Sequence, residues 1–272
     1  GVSVIRDGLP SSYTFSAVEN LTGSTGIDQF TIPAGSSLTG VLNGGGGSDQ
    51  LILPEAISVG VASRTALGAV GLFSGVERIE SVGGTLFSGD KNTTWVINDD
   101  GAVVVGGVRY SGFATIAGSS ATDTLTGPSV PTQWRVHSSD EGLIEFDGHS
   151  IAFSSMENLQ GSTARDDFEI VAAGSISGNV HGGSAAANSI SYTEWTEAVA
   201  VNLSANIVGN ATAIGGKLSS IAVVLGGSGN DQLTGSGNTL LVGGFGDDAL
   251  MGTGARDVLI GGWGADLIFG GS

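Results

Sequence analysis

Four aspartates, Asp231, Asp248, Asp257 and Asp266, recur at the sixth place of a nine-residue pattern, G-G-x-G-x-D-x-U-x, where U is a large aliphatic residue. Gly226–Thr234 (GGSGNDQLT), Gly243–Met251 (GGFGDDALM) and Gly261–Phe269 (GGWGADLIF) are full copies. Gly252–Ile260 (GTGARDVLI) keeps the aspartate and the aliphatic residue but loses two glycines. The run between Gly235 and Val242 is one residue short, with Thr239 in the aspartate place. Each residue type has a physical use. The glycines allow positive φ and a tight turn whose backbone is open to an ion. The carboxylate is a hard oxygen ligand, and turn carbonyls add more oxygen. The D-x-U-x half alternates like a strand with U inward.

Two nines make one turn of a coil, so residues 18 apart lie one above the other. Asp248 and Asp266 are 18 apart, and Asp231 and Asp248 are 17 apart because of the short copy. These three should form a column on one edge. Thr239 and Asp257 make a poorer column on the other. Coils stack about 4.8 Å apart. Bare carboxylates at that distance repel by about 1 kcal/mol in water and by about 3–4 kcal/mol at an effective dielectric near 20. The column therefore needs a cation, and calcium, which takes six to eight oxygens in flexible geometry, suits it. The expected ligands are Asp231, Asp248, Asp257 and Asp266. Turn carbonyls would come from Gly226, Gly227, Gly229, Gly243, Gly244, Gly246, Gly261, Gly262 and Gly264. Gly44–Ile52 (GGGGSDQLI) is a full copy far upstream and adds Asp49 to the candidate ligands.

On these residues the segment resembles the calcium-binding RTX (haemolysin-type) nonapeptide repeat of secreted bacterial proteins. The resemblance implies a β-roll with Ca2+ as the bound ion, and an extracellular or bacterial cell-surface location.

Composition sets the outer bounds. Of 272 residues, 48 are glycine, without the three-residue period of collagen. The formal charge is −17 with only 9 Lys and Arg, so a nucleic-acid surface is excluded and an anionic membrane would repel the chain. No window is apolar enough to read as a membrane span, Ala56–Val76 being interrupted by Arg64 and several glycines. Cysteine is absent, so no disulfide staples the fold. No signal peptide is visible and both chain ends read as cuts, so a segment of a longer protein is expected.

Upstream, a second motif recurs: FSAVENL from Phe15, FSGVERI from Phe73, YSGFATI from Tyr110, FSSMENL from Phe153 and LSSIAVV from Leu218. In four of the five copies a glycine eight places on opens a nonapeptide-like run. The segments beginning at Trp95 and Trp134 also parallel one another. Strand-like runs punctuated by Gly, Asn, Ser and Asp dominate. No helix of three turns is expected, and Pro54–Leu72, the nearest candidate, is spoiled by glycines and β-branched residues. The fold class is thus all-β, a parallel β-solenoid (β-helix) ending in an RTX-type β-roll. Residues 1–217 would form degenerate coils of about 20 residues and 218–272 the roll. The upstream half resembles large repetitive bacterial surface proteins of the adhesin type.

Other candidates read as structural. Asp28, Asp123 and Asp166 hold the aspartate place in upstream runs, and Asn188 follows GGSAAA. A lone nonapeptide supplies half a site, so these read as turn aspartates. His137, His149 and His181 lack metal-ligand spacing and read as corner residues. The pairs Asp99–Asp100, Asp140–Glu141 and Asp166–Asp167 put neighbouring carboxylates on opposite strand faces and read as solvated corners. Trp95 and Trp134 read as core, Trp263 as exposed. The expectation is a non-enzymatic, calcium-stabilised structural or adhesive segment. Its partners would be neighbouring copies or further repeats, with cell-surface glycans as a second class. The alternative is an accessory module of a secreted enzyme.

Overall fold

The computed structural model describes residues 2–6, 12–53, 55–204, 207–254 and 256–271. Pro54, at the head of the rejected helical window, lies outside the described residues, as do Gly1, Ala255 and Ser272. All regular structure among the described residues is β-strand. The chain divides into two compact units, 1–121 and 122–272, and the nonapeptide segment lies in the second.

In the first unit, Asp28–Thr31, Gln50–Ile52, Arg78–Glu80 and Val108–Ser111 form a parallel ladder. Its register stacks Phe30, Leu51, Ile79 and Tyr110, all at most 1% exposed. Burial in this apolar stack pushes the Tyr110 hydroxyl up to about 12. A second parallel ladder joins Leu21–Thr22, Leu38–Asn43 and Val70–Ser74. A further parallel set stacks Val59, Leu86 and Ile116. The strand Val2–Arg6 runs antiparallel to Asp28–Thr31 and, on its other edge, to Ser12–Phe15. Alternation sets the inward face: Asp28–Thr31 reads buried, intermediate, buried, intermediate.

The second unit is built the same way. One ladder stacks Leu125, Leu159, Val180 and Leu218. Another stacks Trp134, Phe168, Ile190, Val224, Leu241 and Leu259. A third stacks Val201, Leu233, Leu250 and Ile268. Identical-face stacking of large apolar side chains is what holds a solenoid coil to its neighbour. The parallel coiled ladders and the absence of helix agree with the β-solenoid class.

The expected coil length of about 20 residues holds only in places. Phe30 pairs with Leu51, 21 residues on, but Leu51 with Ile79 and Ile79 with Tyr110, 28 and 31 residues on. The spacing tightens to 17 and 18 only in the C-terminal nonapeptides. The cause is insertion of antiparallel strands: within the 28-residue coil, Val59–Gly60, Thr65–Ala66 and Val70–Ser74 fold back on one another. Thr94–Ile97, Val103–Val105 and Val108–Ser111 form an antiparallel meander, and so do Thr132–Ser138, Glu141–Phe146 and His149–Ser154. A meander returns the chain to the ladder it left, so it lengthens the coil without disturbing the stack. The likeness between the Trp95 and Trp134 segments is this shared meander. Both tryptophans are fully buried, and Trp263 is 75% exposed. The histidines are not corner residues: His137, His149 and His181 all lie in strands.

Candidate metal centre

Each nonapeptide splits into a turn and a short strand, with the aspartate where they meet. In the C-terminal segment the turns carrying Asp231, Asp248 and Asp266 stack on one edge, and the turn carrying Asp257 stacks on the Thr239 turn on the other. Asp28, Asp49, Asp123, Asp166, Asp231 and Asp248 are at most 1% exposed. A carboxylate buried so completely has to be bonded, paired with a cation or protonated.

Backbone donors supply the first answer. The Asp231 N–H donates to Asp248 Oδ1 at 2.8 Å, and the Asp248 N–H to Asp266 Oδ1 at 3.0 Å. The Val199 N–H donates to Asp231 Oδ1 at 2.8 Å, so the column reaches one coil further back. Each aspartate thus caps the strand start of the preceding coil. This was not foreseen in the sequence, where the column was read as pure repulsion. Bonds between ionised acceptors and N–H groups are charge-assisted and offset part of that repulsion.

The second carboxylate oxygen separates the aspartates into two kinds. In Asp231, Oδ2 accepts the Gly227 N–H of its own turn at 2.8 Å. In Asp257, Oδ2 accepts the Thr253 N–H, while Oδ1 accepts both the N–H and the hydroxyl of Thr239. Burial pushes the Asp257 carboxyl up, but these three bonds outweigh it and hold the group below its ordinary value. In Asp248, by contrast, Oδ2 is buried with no hydrogen-bond partner. The second residue of its turn, Gly244, sits at φ +118°, where Gly227 is not in the left-handed region. Positive φ turns the N–H away from the carboxylate, a conformation glycine adopts without steric cost.

The first glycine of each turn is needed for closeness. A Cβ on Gly243 would lie 2.1 Å from Asp248 Oδ2 and 2.5 Å from the Gly261 carbonyl oxygen. On Gly226 it would meet Asp231 Oδ2 at 2.2 Å and the Gly243 carbonyl at 2.3 Å. On Gly261 it would meet Asp266 Oδ2 at 2.1 Å. Further along the turn, a Cβ on Gly246 would lie 2.4 Å from the Gly229 carbonyl, on Gly262 2.0 Å from that of Gly244, and on Gly264 2.0 Å from that of Gly246. Carboxylate and carbonyl oxygens therefore alternate down this edge.

These observations fit a hard cation: a buried oxygen without a donor, carbonyl oxygens beside it, and no softer ligand. Burial raises the carboxyl of Asp248 above its ordinary value, with smaller contributions from the charges of Asp231, Asp266 and Asp247. Asp231 is also raised, chiefly by burial. Ionising these groups is unfavourable unless a positive charge joins them. Among the described residues no three His, Cys, Asp or Glu side chains converge, so any ion here must draw on backbone oxygen.

The upstream aspartates are placed similarly, against the half-site expectation. The turns 23–28 and 44–49 stack on each other, and the Asp28 N–H donates to Asp49 Oδ1 at 2.8 Å. Asp166 is partnered differently: Oδ1 accepts the Trp134 indole N–H at 2.8 Å and Oδ2 the Ser162 N–H at 2.9 Å. It is wholly buried, not a solvated corner. Two acidic residues escaped the sequence reading. Glu77 Oε2 accepts the Asp49 N–H and Glu157 Oε2 the Asp123 N–H, so each continues an aspartate column. Both are the fifth residue of an FSxxE motif, and that recurrence was the available signal.

Residues 223–239 and 242–272 match the family model of the RTX calcium-binding nonapeptide repeat, in 4 copies. No curated protein matches the chain. The segment is an RTX repeat array, and RTX nonapeptide repeats bind Ca2+.

Proposed function

We propose that this chain, which carries RTX repeats at its C-terminal end, is a non-catalytic extracellular segment whose β-roll is closed by calcium. Its role would be structural or adhesive at a bacterial surface. The observation that carries the reading is Asp248 Oδ2, a buried carboxylate oxygen without a donor and flanked by the Gly261 carbonyl across the gap left by Gly243. The ligands are Asp231, Asp248 and Asp266 on one edge, with Asp257 the weaker member opposite, and the turn carbonyls of the glycines between them. Where calcium is scarce the carboxylates repel and the roll is loose. Where it is abundant, ion binding adds to the folding free energy.

The outermost strands, Val258–Trp263 and Leu267–Phe269, each have one neighbour in their ladders. Their residues Val258, Ile260, Leu267, Ile268 and Phe269 are 47–55% exposed. An open strand edge with apolar side chains is a template for another coil or copy. Further repeats or neighbouring copies of the chain are the partner class that would cover such strands.

Circular dichroism with light scattering on the full chain tests the reading, starting in chelator and titrating calcium. The β signal is expected to sharpen with calcium and revert with chelator, with particle size rising in step. A chain equally folded in both conditions overturns the calcium switch. Electron micrographs showing dispersed monomers in calcium would favour an accessory module of a secreted enzyme over a self-assembling one.

A further inference from the structure

We propose a second cation site, in the first unit, formed by the stacked turns 23–28 and 44–49 and taking a hard divalent ion of the calcium type. The site lies outside the residues matched by the RTX family model. It rests on the reading that the C-terminal aspartate turns bind calcium.

The two turns share the inter-turn framework of the C-terminal pair 226–231 and 243–248. The Asp28 N–H donates to Asp49 Oδ1 at 2.8 Å, as the Asp231 N–H does to Asp248 Oδ1 at 2.8 Å. The Gly46 N–H donates to the Ser24 carbonyl at 2.9 Å, as the Phe245 N–H does to the Gly227 carbonyl at 3.0 Å. A Cβ on Gly45 would meet the Ser24 carbonyl at 2.1 Å, and one on Gly47 the Gly26 carbonyl at 2.4 Å. The matching distances for Gly244 and Gly246 are 2.3 and 2.4 Å, to the carbonyls of Gly227 and Gly229. Gly45 and Gly47 take φ of +99° and +119°, Gly244 and Gly246 +118° and +113°.

The independent pointer to a ligand is the pair of oxygens left over. Asp49 Oδ2 and Asp28 Oδ1 are buried without a hydrogen-bond partner, on side chains that are 0% exposed. Asp49 Oδ2 is orphaned for the same reason as Asp248 Oδ2: the Gly45 N–H is turned away, here toward Asn43 Oδ1 at 3.1 Å. It faces the Gly75 carbonyl across the space a Cβ on Gly44 would fill, 2.5 and 1.8 Å from that point. Charge points the same way. Asp28, Asp49 and Glu77 form a continuous column of three carboxylates. Among the described residues the one cation paired with this column is Arg6, whose Nε is 3.9 Å from Asp28 Oδ1 and whose side chain is half exposed. Three negative charges against one leave an excess that a divalent ion neutralises. The pair 161–166 and 182–188 shares the backbone framework, with the Asp166 N–H on Asn188 Oδ1 and Gly183 close to the Ser162 carbonyl, but lacks the leftover oxygens and the second charge. Trp134 and Ser162 occupy both oxygens of Asp166, and neutral Asn188 stands in place of the second aspartate.

The test is equilibrium dialysis of the full chain against radioactive calcium, with Asp28→Asn, Asp49→Asn, Asp166→Asn and Asp231→Asn/Asp248→Asn compared. Asparagine at 49 can still accept the Asp28 N–H, as Asn188 does for Asp166. Asp28→Asn and Asp49→Asn are each expected to bind one ion per chain fewer, and Asp166→Asn the unsubstituted number. If both bind the unsubstituted number while the C-terminal double variant binds fewer, the second site is wrong and the RTX reading stands. If the unsubstituted chain binds nothing, both fail. Hydrogen exchange on the unsubstituted chain covers the case in which a variant does not fold. Amides of 21–52 should gain protection with calcium, and protection confined to 226–269 overturns the site.

Discussion

At the residue scale, one backbone N–H separates the aspartates whose second oxygen is satisfied within their own turn from those that keep an unpartnered one. Asp231 and Asp257 receive a donor from their own turn, and Asp248 and Asp49 do not, because the second glycine sits at positive φ. Gly244→Ala should therefore be costly twice over, through its φ of +118° and through a Cβ 2.3 Å from the Gly227 carbonyl. We expect a loss of about 1–3 kcal/mol or more, read from urea midpoints. Gly106→Ala, at φ +56° with open space around it, is the control and should lose less. Equal losses would mean that the close approach contributes nothing. Asp166 gives a pH prediction. Burial raises its folded-state carboxyl above the ordinary value, against the pull of the Trp134 and Ser162 bonds. The stability it contributes is thus full below the ordinary value, about pH 4, and lost as pH rises through the raised one. In chelator, Asp166→Asn should flatten the stability profile from about pH 4 upward. Superimposable profiles would exclude a raised value.

At the element scale, short strands are held by stacks of identical-face apolar residues. Leu250 is fully buried between Leu233 and Ile268, while Ile268, in the last coil, is 47% exposed. Leu250→Ala should destabilise by about 2–5 kcal/mol. Ile268→Ala should cost under about 1 kcal/mol, as half-exposed sites do. Chemical denaturation of both variants measures the ratio, and equal costs would mean that the last coil is covered by a copy of the chain. The strands themselves were legible, since D-x-U-x alternation places Phe30, Leu51, Leu125, Phe168, Leu233 and Leu250 inward and all are buried. Coil length was not legible. Nothing in local alternation says that the strand after Trp95 or Trp134 folds back on itself, because antiparallel and parallel neighbours present the same pattern of buried and exposed residues.

At the scale of the whole molecule, a net charge of −17 on a chain without disulfides makes stability depend on ions. Each site that binds only the folded chain adds about 2.7 kcal/mol when calcium is at a hundred times its Kd. The melting temperature should rise with calcium and fall back with chelator. Magnesium at equal concentration should raise it less, because that ion demands near-octahedral geometry and sheds water reluctantly. Equal effects of the two ions would reduce calcium to general charge screening.

The nonapeptide period, the inward aliphatic residues and the vertical spacing of Asp231, Asp248 and Asp266 were determined by the sequence alone. Each follows from local geometry: a turn that needs glycine, a strand that alternates, a coil of two nines. Only the tertiary structure decided which carboxylates are satisfied. The Trp134 indole reaches Asp166 from 32 residues away, and Glu77 reaches the Asp49 N–H from 28 residues away. Both partnerships depend on which coil lies against which, and so on the inserted hairpins, whose turns at Asp100-Gly101, Gly106-Gly107 and Asp147-Gly148 were the available signal. The stacking of 23–28 on 44–49 was decided in the same way. It turns two apparently isolated motifs into one pair of facing turns, because coil register, not sequence adjacency, brings their oxygens together.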